Sequence, residues 1–421
     1  MTRHLVLKFV AAIQLMGAVL QSSEAYAIDF ILPGVEAKAA AGAGQTVSRG
    51  ASSLFFNPAN VILTQNFEPE ADLSFANITY SYQNANTGVF EPAVLGISTP
   101  TMSFGLGWRA KPDLAVGFEV LPLGLGSSQE YFGAPVELSP GSVQALDVSR
   151  KEIAAKIAAG GAYRFLKRFT FGFGVIVTSE RSSLRTKNAG TERIMSEASF
   201  VGRSVQPNLG LRLDIGYGVV LGFSFKTSVT RAYQGTFSVN TAKEGSAEDF
   251  QIGEYTGKAF DPSVLGAGVE WRILKYGFFA DFTRKFWASG RTISKSGLGA
   301  DPREVDLKST NDFVLGSKLW FANNHLVQFA VGSNAANSGN GSVIGADNAT
   351  RDVAGVQLGQ IEAIPRTILS GGYSYKIAPG RQFETAMMLV NGQREIPAAY
   401  NQAGIFKLRV FITTVGCNFA L

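Results

Sequence analysis

Few side chains in this sequence could do covalent or metal chemistry. The chain holds one cysteine, Cys417, and two histidines, His4 and His325. A single cysteine forms no intramolecular disulfide and no cysteine-based metal cluster. A zinc centre built on two or three histidines is excluded once His4 leaves with a signal peptide. A serine–histidine hydrolase would have to use His325, which follows the Asn323-Asn324 turn. The expectation is therefore no catalytic residue and no metal site. The ionisable residues say more. Glu119, Lys156, Arg164, Arg212, Lys226, Glu270, Arg272, Asp281, Lys318, Lys376 and Glu384 fall on one set of alternate positions, and large apolar residues fill the other set. Alternate positions of a strand share a face. The charges would then line a common lumen, with Lys156, Arg164, Arg212, Arg272 and Lys318 as its principal cations. Seven basic residues against four acidic ones predict a cationic bias suited to an anionic head group. A carboxylate leaving water needs a charged hydrogen-bond partner.

Fourteen period-2 segments must position these groups, near 72–82, 101–109, 114–125, 153–165, 169–181, 200–213, 217–231, 263–274, 276–288, 312–322, 325–334, 366–377, 381–391 and 405–419. Most reach about ten residues, enough for a tilted strand to cross a bilayer. Their connections alternate between tight turns, such as Lys111-Pro112-Asp113 and Ala378-Pro379-Gly380, and long polar stretches, such as 83–100, 126–152 and 335–365. Outer-membrane barrels have short periplasmic turns and long extracellular loops; a soluble sandwich has no reason for the alternation. Composition agrees: 46% of residues are hydrophobic and 17% charged, against about 25% charged in an ordinary soluble domain. A net charge of +5 without a basic cluster argues against nucleic acid as a partner. Met1 to Ala27 reads as a secretory signal, with Arg3 and Lys8, an apolar centre from Phe9 to Leu20, and Ala25-Tyr26-Ala27 before the cleavage point. The expected fold is all-β: a 14-stranded antiparallel transmembrane β-barrel in a Gram-negative outer membrane. Residues 1–27 would be the signal peptide, 28–67 a plug in the lumen, and 68–421 the barrel.

Residues 28–67 are not strand-like. Ile28-Asp29-Phe30-Ile31-Leu32-Pro33-Gly34 leads into an Ala/Gly-rich stretch that ends Ser52-Ser53-Leu54-Phe55-Phe56-Asn57-Pro58-Ala59-Asn60. About 40 residues of small side chains make no domain of their own, but small side chains allow the close approach a plug needs. Pro58 fixes its own φ and turns Asn57 away from helix, so the triplet can act as a rigid corner. The Asn57 amide can both donate and accept. Gly50, Asn57, Pro58 and Ala59 are thus candidate hatch residues, and Phe30, Ile31, Leu32, Phe55 and Phe56 candidate substrate-pocket residues. The stretch from Gly44 to Ala59, with Asn-Pro-Ala after an Ala/Ser/aromatic run, resembles the hatch of the outer-membrane long-chain fatty-acid transporter family (FadL/TodX type). Val120-Leu121-Pro122-Leu123-Gly124-Leu125 sits where that family has a kink in its third strand, with Leu123 where many members carry Phe. The resemblance runs from the mature start to Phe419.

The resemblance implies a plugged barrel that passes hydrophobic small molecules by passive diffusion, without a cofactor. Solute would enter from outside, rest in an apolar pocket above the hatch, and leave sideways through the wall. The sequence gives a separate reason to place the exit. Proline has no N–H for a barrel ladder, so a break or bulge is expected near Pro122. Gly124 and Gly126 would add backbone freedom to this lateral opening. The substrate expected first is a long-chain fatty acid, with an aromatic hydrocarbon as the alternative within the same family. The other partners would be outer-membrane lipid and lipopolysaccharide, around a monomer. A general porin is disfavoured by the plug-like amino terminus. A barrel lipid hydrolase is disfavoured by the place of His325 at the periplasmic rim.

Overall fold

The computed structural model describes residues 32–84, 90–139, 142–188, 194–240, 250–287, 293–296, 304–307, 309–321, 324–335, 338–344, 350–352, 364–378, 380–396 and 404–420. The signal-peptide reading and the positions of Phe30 and Ile31 lie outside the described residues. Fourteen strands form one antiparallel wall. The first six are Phe67–Asn84, Phe90–Lys111, Leu114–Ser139, Ser142–Leu166, Phe169–Asn188 and Ile194–Gly216. The seventh has two segments, Val219–Lys226 and Val229–Asn240, and so has the eighth, Phe250–Asp261 and Ser263–Ile273. The last six are Tyr276–Phe286, Thr310–Phe321, His325–Asn334, Arg366–Ala378, Arg381–Ile396 and Gly404–Phe419. The first and fourteenth pair from Glu70↔Asn418 to Asn84↔Gly404, which closes the barrel. A small antiparallel sheet, Glu304–Leu307, Ser338–Ile344 and Thr350–Asp352, stands apart from the wall.

The two faces separate as strand alternation requires. On the fifth strand Phe169, Phe171, Phe173 and Val177 are exposed, while Thr170, Ile176, Thr178 and Glu180 are buried. The same alternation puts Phe278 and Phe313 outside and Phe279 and Val314 inside. An apolar exterior over a polar and small-residue interior is the pattern of a barrel solvated by lipid, where closure pairs every backbone group.

The wall is taller than the sequence predicts. The stretch 126–152 is largely a paired hairpin, from Ser127↔Glu152 to Ser139↔Ser142, and the second strand begins at Phe90 inside the expected loop 83–100. In these extensions polar and apolar residues follow no strict alternation, as in Ser127-Ser128-Gln129-Glu130-Tyr131-Phe132-Gly133. A hydrophobic period marks a strand only where the two kinds alternate, so these stretches give no such signal. Among the described residues, no helix is long and apolar enough to cross a membrane.

Candidate functional site

Residues 32–66 run through the lumen. They form a short helix, Val35–Ala39, and two 3-10 helices, Ala51–Phe55 and Pro58–Leu63, nearly all of it buried. So few turns carry little stability of their own; the wall supplies it. Asp281 of the ninth strand accepts the backbone N–H groups of Gly44 at 2.7 Å and Gln45 at 2.8 Å. Asn208 of the sixth strand donates to Leu54 O at 2.8 Å, and Ser370 of the twelfth donates to Ala39 O at 2.8 Å. Wall glycines make room. A Cβ at Gly172 would collide with the Pro58-Ala59 backbone, and one at Gly372 with Ala39.

Asn57 is the corner expected from sequence. Its Oδ1 accepts from Ala59 N at 3.1 Å and so caps the second 3-10 helix, with Pro58 in the first helical position. Its Nδ2 donates to Gln45 O at 2.9 Å and to Leu211 O on the sixth strand at 3.1 Å. Gly50, at φ +62°, caps the first 3-10 helix against the Glu70 carboxyl. Asn57→Ala removes all three bonds and leaves the buried Ala59 N–H without its acceptor, although Asn60 Nδ2 still reaches Gln45 O at 3.0 Å, at a cost of about 1–3 kcal/mol. The expected outcome is faster amide exchange across 45–60 with the barrel intact. Unchanged exchange there would show that the anchor lies elsewhere.

Two ion clusters tie the plug to the wall. Lys38 donates to Asp72 at 2.7 Å, both side chains at or below 5% exposure, and Asp72 also accepts from Ser103 Oγ at 2.5 Å and Gly34 N at 3.2 Å. Lys318 reaches Glu36 of the plug and Glu270 of the eighth strand, each at 3.2 Å. Of the five lumen cations named from sequence, Lys318 and Arg212 touch the plug, Arg212 donating to Asn60 Oδ1 at 3.0 Å. Lys156 and Arg164 are half-buried on the inward row of the fourth strand. Arg272 lies 4.2 Å over the Trp320 ring near the turn end. His325 is no bare turn residue: Nδ1 is 2.7 Å from Tyr373 Oη and the ring stacks on Phe321.

The expected cationic bias fails at the turn end of the lumen. A cavity of about 130 Å³ there is lined by Glu36, Glu68, Glu70, Asp72, Glu119 and Glu384 against Arg49 and Lys376. Glu68 and Glu70 precede the first period-2 segment, which begins near residue 72, and Glu36 comes from the plug.

At the other end the inner wall is apolar. Ala76, Ile78, Ile368, Met388, Val390, Leu408, Val410 and Ile412, from the first and last three strands, form one buried cluster, and Leu32 packs against it. Phe55 and Phe56, expected in the pocket, sit in a different cluster, where Leu54, Val61 and Ile62 meet Ala115, Leu121, Ala158 and Ile176 of the third to fifth strands. The cluster joins residues from the two ends of the chain, which no local pattern links. The signal that could have found it is the apolar inward row at 408, 410 and 412, opposite Lys407 and Arg409 on the outer row.

The wall is interrupted in two places. The ladder between the second and third strands stops at Phe104↔Val120, although both strands continue beyond it. The third strand's other ladder has irregularities between Pro122 and Gly124 and between Gly124 and Ser127, so Pro122, Gly124 and Gly126 all lie on the disturbed stretch. The second interruption, between the sixth and seventh strands, runs from Asn208↔Lys226 to Arg203↔Ala232. It is bridged: Thr227 N donates to Pro207 O at 3.1 Å, Gln206 Nε2 to Thr227 O at 2.7 Å, and Arg231 pairs with Glu180 and Asp261, each at 2.6 Å.

No family model and no curated protein matches the chain. Solved structures do. A Pseudomonas aeruginosa FadL homologue aligns over 91% of this chain and 97% of its own at 12% identity, with a TM-score of 0.67. The Pseudomonas putida toluene transporter TodX aligns over 93% and 99% at 14% identity, with a TM-score of 0.67. The Ralstonia pickettii toluene transporter TbuX aligns over 93% and 99% at 15% identity, with a TM-score of 0.63. The closed barrel of fourteen strands described above is therefore the fold of the FadL homologue and of TodX and TbuX.

Proposed function

We propose that the chain is an outer-membrane conduit for hydrophobic small molecules, working by lumen binding, movement of the plug and release sideways between the second and third strands. The observation that carries this reading is the ladder stop at Phe104↔Val120, beside a plugged lumen, in a wall whose other described interruption is bridged by side chains. A filled lumen disfavours an aqueous pore. An unpaired stretch of wall offers an apolar solute a route into lipid, which it prefers to water by about 25 cal/mol per Å² of apolar surface. The apolar cluster of the first and last three strands is the resting place. Its location in the outer membrane follows from the exposed apolar exterior. Pro122→Val with Gly124→Val should extend the ladder and abolish uptake in a correctly inserted barrel. Full uptake by that double variant would reject the sideways route.

The substrate we favour is a long-chain fatty acid. Arg366 is buried on the apolar wall, between Ile364 and Ile368 of the same cluster, and a carboxylate head group would join the partners its guanidinium already has. The toluene transporters among the structural neighbours favour the second reading, a neutral aromatic. One variant separates them. A charge-assisted hydrogen bond contributes about 1.5–3 kcal/mol, so Arg366→Leu should lower fatty-acid uptake about tenfold or more and leave toluene uptake unchanged. Equal effects on both solutes would favour the neutral-aromatic reading.

A further inference from the structure

Glu70 on the first strand and Glu119 on the third are both in register with the same residue, Gly105, on the strand between them. Gly105 has no side chain to separate them, and a Cβ there would stand 2.6 Å from Glu70 Oε1. The two carboxyl groups meet over that glycine within hydrogen-bond reach. Glu119 is 1% exposed, and its Oε2 has no donor among the described residues. The row lies one residue below Val120, where the ladder between the second and third strands ends. On its other side Glu70 accepts the Ser52 backbone N–H at 2.7 Å, in the first 3-10 helix of the plug. One pair of side chains thus joins the plug, by way of the first strand, to the third strand that borders the wall interruption.

Two carboxylates in contact repel unless a proton or a cation lies between them. The charged groups around the pair are Glu68 and Asp72 on the first strand, Glu384 on the thirteenth, and Lys38 and Arg49 in the plug. Neither cation is committed to the pair: Lys38 donates to Asp72 at 2.7 Å and Arg49 lies 3.7 Å from Glu36. The cavity at the turn end touches both Glu70 and Glu119, which gives a proton a path to water.

We infer that Glu70 and Glu119 share one proton and act as a latch, holding the plug's first 3-10 helix to the third strand at the foot of the exit. Loss of that proton leaves two like charges over Gly105 and frees the helix from the wall. The latch deepens the transport reading and rests on it for its purpose, but its chemistry can be tested without any solute. In the detergent-solubilised full chain, the wild type should show the infrared band of a protonated carboxyl at neutral pH, and Glu119→Gln should lose it. Amide protection at Ser52 to Phe55, corrected for intrinsic exchange, should fall about tenfold as pH rises through the titration, equivalent to about 1.4 kcal/mol. Glu119→Gln keeps a donor for Glu70 without a titrating proton, so its protection should stay high and flat with pH. Glu119→Ala should be weakly protected at every pH. Absence of the infrared band, or the same pH profile in wild type and Glu119→Gln, overturns the latch. Loss of protection on adding a chelator, without that band, overturns it in favour of a bridging cation. Failure of solute uptake with these signatures present would instead count against the transport reading.

Discussion

Asp72→Ala should detach the amino-terminal half of the plug. Asp72 is the one carboxylate that receives Lys38, Ser103 and the Gly34 backbone together. Its loss strands an ammonium group at 1% exposure. Breaking a buried pair by removing one partner costs about 3–5 kcal/mol, mostly the penalty of the abandoned charge. That is more than the single turn Val35–Ala39 can supply by itself. Exchange or proteolysis across 34–43 should therefore rise by two orders of magnitude or more, while the barrel keeps its resistance to heat. Replacing both partners, Lys38→Met with Asp72→Leu, removes both charges and should cost far less. If Asp72→Ala leaves 34–43 as protected as before, the plug is held by packing rather than by this pair.

The other large effect is steric. Gly210 faces Asn57 from the sixth strand, and a Cβ there would overlap Asn57 Oδ1 and come within 2.8 Å of Ala59 N. Gly210→Leu drives a branched side chain into the corner of the plug, and overpacking costs about 1–3 kcal/mol or more. The sixth strand pairs with neighbours on both sides, so the plug gives way before the wall does. The variant should insert normally and conduct small hydrophilic solutes that the wild type excludes. Gly371→Ala is the control, because its Cβ would stand on the outer face 3.3 Å from the exposed Phe329 ring, which need give only a few tenths of an ångström and does not touch the plug. A tight Gly210→Leu barrel in planar-bilayer recordings would show that the plug can shift without opening a path.

Strand number was legible because the lipid-facing rows of Phe, Leu and Val impose a period of two that survives without any homologue. Strand height was not, since the hairpin 127–152 keeps no strict alternation of polar and apolar residues. The corner at Asn57 was legible from local chemistry, an amide before a proline, and the disturbed stretch at Pro122 from the missing N–H. The carboxylate cavity was not, because it assembles Glu36 from the plug, Glu119 from the third strand and Glu384 from the thirteenth, and no local pattern links them. The apolar wall failed for the same reason, being built from both ends of the chain.

The plug also traces the wall in reverse. Thr64 faces Gly107 on the second strand, and Asn57 bonds Leu211 on the sixth across 154 residues. Gln45 bonds Asp281 on the ninth across 236 residues, Ala39 bonds Ser370 on the twelfth across 331, and Val35 lies against Gly416 on the fourteenth. Along these five contacts each later strand meets an earlier plug residue, so the separation along the chain lengthens from one to the next, while Lys38 and Ser52 reach back to the first strand. A chain laying down strands in order would find the next docking point already seated beside the last, like successive teeth of a zip. The helix Val35–Ala39 is the final tooth, and the seam between the first and fourteenth strands shuts beside it. The plug is in this sense the spool on which the barrel is wound, and a wall missing its last strands would leave the spool's free end bare.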